Sequence, residues 1–255
     1  MKENKISVII ITKDEEKMLP KCLQSLNWVN EIIVVDNDST DKTVDIAKKY
    51  HAKVFNLQRG EKPDFSHSRN VGLKHASGEW VLYIDADERV ESRLELEIKK
   101  IISTDSSYSA YAIPRRNFIF GKEFKYGGQR PDYVKRLFKK EALAGWHGKL
   151  HEEPEFQGKM GHLKESLVHI KHETLTEMVV KTNEWSEIEA DLMLKAGHPK
   201  MNVVRFISAM AREFWFRMVR QVAFLDGPEG IIYATYQVFS RFTSYAKLWE
   251  RQIKA

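Results

Sequence analysis

The chain has 255 residues, 42% hydrophobic and 30% charged, a balance that excludes disorder and suits one α/β domain with an appendage or two small domains. Its single cysteine rules out an internal disulfide and fits a reducing compartment, and no apolar run is long enough to span a bilayer. The formal charge of +5 is too modest to select among nucleic acid, anionic lipid and phosphorylated small molecules as partners.

Residues 1–5 lead straight into a strand with neither an apolar leader nor a cleavage site, so no export signal is expected. Residues 6–12 form a near-continuous β-branched run, the pattern of a strand buried on both faces of a parallel sheet. A polar loop over 12–16 precedes Leu19, Cys22, Leu23 and Leu26, which fall at helical spacing with Pro20 in the first turn. The spacing buries Cys22 as a structural thiol. Residues 31–36 read as a second strand, 37–41 as a turn, and 42–50 as a helix capped by Ser39 or Thr40, with Asp41 at the positive end of its dipole. A third strand is expected at 53–56, a third helix at 66–75 and a fourth strand at 80–85, ending in Asp85-Ala86-Asp87.

Strands alternating with helices imply right-handed crossovers and a parallel sheet covered on both faces. Ligands of such sheets sit at the carboxyl ends of the strands, where residues 12–15, 36–41 and 85–87 converge. Asp85 and Asp87, two residues apart, would face one point if the strand ran through both. Carboxylates so placed repel unless a cation such as Mg²⁺ or Mn²⁺ lies beside them. Neither a glycine-rich dinucleotide loop nor a P-loop follows the first strand.

Four stretches carry a resemblance. They are residues 7–15, ending in Thr12-Lys13-Asp14-Glu15, then Asp36-Asn37-Asp38-Ser39-Thr40-Asp41, Ser68-Arg69-Asn70-Val71-Gly72, and residues 80–88 through Asp85-Ala86-Asp87. In that order the sequence resembles a family 2 glycosyltransferase, most closely the bacterial lipopolysaccharide-core glucosyltransferase-like branch. The resemblance implies an α/β GT-A nucleotide-sugar-binding fold, a mostly parallel central sheet flanked by helices, with a C-terminal helical appendage. Thr12 and Glu15 would line the nucleotide pocket, Asp36 would accept a hydrogen bond from uracil, and Ser39 and Asp41 would shape the adjacent turn. Arg69 and Asn70 would lie over the nucleotide and near the sugar. Asp85 would contact ribose or donor sugar, and Asp87 would ligate a divalent cation, Mn²⁺ or Mg²⁺, on the diphosphate.

From 108 to 172 the pattern changes to short strand-like pieces at 110–113, 133–138 and 167–170. An inverting transfer needs one carboxylate to take the acceptor hydroxyl proton. Glu152 is the expected base because its segment resembles the family's, with Asp132 and Glu153 as alternatives. Arg130 and Arg136 are candidate phosphate or acceptor contacts, although Arg136 also reads as an exposed strand residue. A zinc site at His147 and His151 is disfavoured, since neither cysteine nor a helix would fix it.

Helices are expected at 176–194, 203–225 and 231–252. The last two are dense in aromatics with interleaved arginines, a composition suited to a membrane surface and not to nucleic acid, for which no recognised fold is present. The expected organisation is a GT-A catalytic domain over 1–172, with a nucleotide half at 1–105 and an acceptor half at 106–172, then a membrane-associating region at 173–255. The resemblance implies a metal-dependent enzyme that moves a sugar, glucose from UDP-glucose, to a lipid-linked or cell-envelope glycan. Its expected place is cytoplasmic, peripheral on the inner face of the bacterial cell membrane. The alternatives are a polyprenyl-phosphate sugar transferase and a non-catalytic membrane-associated nucleotide-binding scaffold.

Overall fold

The computed structural model describes residues 4–58, 64–104, 106–148 and 152–254. The chain divides into two compact units, Met1–Arg115 with Asp132–His169, and Arg116–Pro131 with Ile170–Ala255.

In the first unit the β-branched run is β1 (Ile6–Thr12), the middle of a parallel array. It has β2 (Glu31–Asp36) on one side and β4 (Trp80–Asp85) on the other, with β3 (Lys53–Asn56) beyond β2. The chain therefore steps outward from β1 to β3 and then crosses to the opposite side of β1. That reversal opens a crevice at the carboxyl ends of β1 and its neighbours. Alternation along β1 feeds two cores. Val8 and Ile10 pack with α1 (Leu19–Gln24), α2 (Thr43–Lys49) and α4 (Ser92–Ser103), while Ile9 packs with Tyr83, Phe138, Trp146 and residues of α3 (Phe65–His75). Cys22 is buried in the first core, and burial pushes its thiol far above the ordinary range. At Gly72 of α3 an added Cβ would lie 2.4 Å from Ile9 Cγ2, so the glycine lets the helix sit directly on β1.

Past β5 (Glu88–Arg89) and α4 the sheet turns antiparallel. β6 (Tyr108–Ile119) pairs with β8 (Tyr133–Lys139), β8 pairs with β4, and β11 (Lys159–His162) runs parallel to β6. β9 (Leu143–His147) and β10 (Glu153–Phe156) form a separate pair. β12 (Leu167–His172) lies antiparallel to β5, setting His169 opposite Glu88.

In the second unit the end of β6 forms a hairpin with β7 (Lys122–Phe124), pairing Asn117 with Phe124. Phe124 and Ile119 share a core with Met178, Tyr233 and Tyr236. α5 (Leu175–Lys195) opens on a Thr174–Glu177 capping box, and α7 (Pro228–Lys254) packs against it through Ala190 and Leu248. Among the described residues no helix is long and apolar enough to cross a membrane.

Three expectations are corrected. The second C-terminal helix does not reach residue 225: α6 (Val203–Trp215) passes into a wide π-type turn over Phe216–Arg220, and Val222 takes a left-handed conformation that ends the helical path. Neither Ser39 nor Thr40 caps α2; Lys42 stands at the cap position, and Asp41 accepts from the Thr43 amide and hydroxyl. α4, with Leu94, Ile98 and Ile102 buried, is absent from the expected order.

Candidate active site

Register brings the loop residues level. Thr12 at the end of β1 pairs with Asp36 at the end of β2, and Ile11 pairs with Asp85 at the end of β4. The Thr12 hydroxyl donates to Asp36 Oδ1 at 2.9 Å, and Ser39 donates its hydroxyl to Oδ1 and its amide to Oδ2. Asp36 is thus buried and held from three sides. The two loops beyond are stitched together: the Asp14 amide donates to Ser39 Oγ, the Thr40 amide to Asp14 Oδ1, the Glu15 amide to Thr43 Oγ1 and the Glu16 amide to Asp41 Oδ2. Asp14 and Asp38 take left-handed backbone conformations that short acidic side chains tolerate. Thr12, Glu15, Asp36 and Ser39, the residues expected to meet a nucleotide, therefore lie on two loops joined by hydrogen bonds.

Behind it runs an alternating row of charge. Glu152 Oε1 accepts from Arg69 Nε at 3.0 Å, and Arg69 Nη2 lies 3.4 Å from Asp85 Oδ1. Asp85 is gripped from its other side by Arg136, which also donates to Glu88 Oε1 at 3.0 Å. Glu88 Oε1 meets Arg115 Nη1 at 3.4 Å, and Arg115 closes a two-toothed pair with Asp132 at 3.0 and 3.1 Å. The guanidinium of Arg69 stacks over Trp146 at 4.8 Å and Tyr83 at 5.5 Å. Burial alone would raise the Asp85 carboxyl, but Arg136 and then Arg69 overcome it and hold it well below the usual carboxylate range. The same pairing, against a burial effect of opposite sign, raises Arg136 above its ordinary value.

Asp85 and Asp87 have different partners. β4 ends at Asp85, so strand alternation stops before Asp87, whose Oδ2 lies 3.4 Å from His169 Nε2. Among the described residues no three His, Cys, Asp or Glu side chains converge on one point. The Asp87–His169 pair offers one carboxylate oxygen and one imidazole nitrogen, two donors that would hold a cation only with its remaining positions filled by an oxygen-rich ligand.

The other expected residues fall as follows. Both polar ends of Asn70 engage the Trp146 backbone, at 2.9 and 2.8 Å, and tie α3 to β9. Arg130 belongs to the second unit, where it pairs with Glu123. Glu153 is exposed and pairs with Lys135, whereas Asp132 belongs to the charged row. Arg136 is not an exposed strand residue: only 4% of its surface is accessible. His147 is exposed beside Glu155, and His151 lies outside the described residues. Sequence reasoning passes over Glu88, Arg115 and His169. Glu88 directly after the carboxylate motif and a lone histidine in the apolar stretch Leu167-Val168-His169-Ile170 are the signals that mark two of them.

With this geometry the comparisons converge. The chain matches the family model "Glycosyl transferase family 2" over residues 7–158. It belongs to glycosyltransferase family 2. An uncharacterized glycosyltransferase of Rickettsia felis is 30% identical, the alignment covering 98% of this chain and 92% of that protein. The lipopolysaccharide core biosynthesis glycosyltransferase LpsC of Rhizobium meliloti is 25% identical over 96% of this chain and 92% of its own. Residues 1–349 of S. aureus TarS, solved with UDP-GlcNAc, align with a TM-score of 0.50 and 18% identity over 96% of this chain and 88% of that one. The fold of this family 2 glycosyltransferase is GT-A, as its sequence motifs led one to expect.

Proposed function

We propose that this family 2 enzyme is an inverting, metal-dependent hexosyltransferase that takes its sugar, glucose by resemblance, from a UDP donor and passes it to a lipid-linked or cell-envelope glycan. The observation that carries the proposal is the charged row from Glu152 through Arg69 to Asp85, set at the carboxyl edge of β1, β2 and β4. The UDP-GlcNAc held by TarS and the lipopolysaccharide role in the name of LpsC support the donor and acceptor classes.

In this reading Asp36, braced by Thr12 and Ser39, presents its remaining acceptor capacity to the base, and Asp85 stays ionised to accept from ribose or sugar hydroxyls. Glu152 takes the proton of the acceptor hydroxyl as that oxygen attacks the anomeric carbon and the bond to the diphosphate breaks. Arg69, between Glu152 and Asp85, holds base and donor-side carboxylate in one frame. A divalent cation held by Asp87 and His169 would offset charge on the leaving diphosphate, and the mixed oxygen and nitrogen donors favour Mn²⁺ over Mg²⁺.

The deciding experiment is calorimetric titration with UDP, with and without Mn²⁺, on the wild type and on Asp87→Ala. Binding that needs Mn²⁺ and is lost in the variant is expected. Equal affinity with and without the ion would remove metal dependence, and no binding in either condition would remove the uridine donor.

A further inference from the structure

In the second unit α6 carries apolar surface on two sides. One side packs on α7, where Phe206 meets the Phe242 ring at 5.8 Å. The other side faces out. Val203, Ile207, Ala211, Trp215 and Val219 recur every four residues along α6 and the turn that prolongs it, and all are exposed, Val203 at 71%, Ile207 at 65% and Trp215 at 54%. Ala209 is the buried residue of α6. A helix apolar on both sides belongs under cover, and a continuous exposed stripe of this kind marks an interaction surface.

Charge selects the cover. Between Asn202 and Leu225 the chain holds Arg205, Arg212, Arg217 and Arg220 against one acid, Glu213. Glu213 is taken by Arg217 at 2.9 Å. Arg212 and Arg220 are exposed, and neither has a carboxylate partner among the described residues. A second copy docked on this stripe by a two-fold axis would meet the same arginines with no exposed acid from this segment to answer them. An anionic bilayer answers both features, since its interface accepts the apolar stripe and Trp215 while its headgroups pair with the flanking arginines.

We infer that the outer face of α6 and the turn after it, residues 203–220, seats on an anionic membrane surface. The face is specific: one side of one helix, not the aromatic-rich helical region as a whole. The inference is independent of the donor and the chemistry, because it rests on the second unit alone.

The test is flotation of the full chain with phosphatidylcholine vesicles and with the same vesicles carrying about 30% phosphatidylglycerol. Two variants are compared, Ile207→Glu with Trp215→Glu, and Arg212→Glu with Arg220→Glu. The wild type is expected to float with anionic vesicles only. Each variant should lose roughly tenfold or more of that partitioning. Their circular dichroism and thermal midpoints should match wild type, because the substituted side chains are exposed. Equal flotation on both vesicles, no flotation, or unchanged flotation of either folded variant would overturn the inference. So would light scattering that shows a wild-type dimer made monomeric by the Ile207 and Trp215 changes, which would give the face to a second copy. Loss of UDP binding would bear on the transferase reading and leave the vesicle result untouched.

Discussion

Arg69 and Glu152, 83 positions apart in the chain, meet with Arg69 Nε 3.0 Å from Glu152 Oε1. The same guanidinium reaches Asp85 and is flattened against Trp146, so α3, β4 and β9 meet through one side chain. Glu152→Gln keeps the size of the side chain and an oxygen for Arg69 but removes the proton acceptor. Turnover should fall by roughly 10²- to 10⁴-fold while UDP affinity stays near wild type, as read by product formation and calorimetry in parallel. If affinity falls together with turnover, Glu152 acts by holding Arg69 and is not the base.

Glu88 is the hidden member of the row. Fully buried, it accepts from the Asp85 amide at 2.9 Å, from Arg136 and from Arg115, and its backbone pairs with the strand that carries His169. Glu88→Gln leaves buried Arg136 and half-buried Arg115 short of a counter-charge, at a cost of about 3 kcal/mol. For a chain of this size the thermal midpoint should drop by roughly 5–10 °C. A midpoint equal to wild type would show that Asp85 and Asp132 suffice to hold Arg136 and Arg115.

How much of this was legible follows the distance over which each feature is decided. β1, β2 and β4 announce themselves through β-branched runs that end in polar loops, and their shared edge follows from the parallel order, so Thr12, Asp36 and Asp85 could be placed together in advance. The partners of Asp85 could not. Arg136 lies 51 residues away on a strand of opposite direction, and no local pattern says which face of β8 it takes. His169 reaches Asp87 only because β12 pairs with a two-residue strand, too short to leave a periodic signal. β4 ends at Asp85, so strand alternation alone does not carry the position of Asp87. α4 is a different case, since Leu94, Ile98 and Ile102 do carry a helical period.

Glu31, at the start of β2, makes stability depend on pH. Burial would raise its carboxyl, but Lys53, Ser7 and Ser77 outweigh that and hold it at about 2, against an ordinary 4.5. The folded state therefore releases the proton more readily than the unfolded chain. The resulting stability is complete above about 4.5 and is lost as pH falls toward about 2. Because solvent screens the exposed Lys53 partner, the contribution is discounted to roughly 1–2 kcal/mol. Glu31→Gln should flatten the acid limb of a denaturation series across that window and lower stability at neutral pH by a similar amount. A variant with the wild-type acid limb would assign the pH dependence to other carboxylates.

Gly72 explains why the motif that carries Arg69 and Asn70 closes on a glycine. In an exposed helix Gly→Ala adds about 1 kcal/mol of stability. At this position the new methyl would sit 2.4 Å from Ile9 Cγ2, and Ile9 is fully buried with no room to swing aside. Gly72→Ala should therefore destabilise, by about 1–3 kcal/mol, and weaken UDP binding by tilting α3 and the guanidinium it carries. The cause is separable from a general intolerance of the helix. In an Ile9→Ala background, which removes the opposing Cγ2, the same Gly72→Ala change should cost less than it does in wild type, a coupling that a thermal double-mutant cycle reads directly. Additive costs in that cycle would place the demand for glycine somewhere other than the contact between α3 and β1.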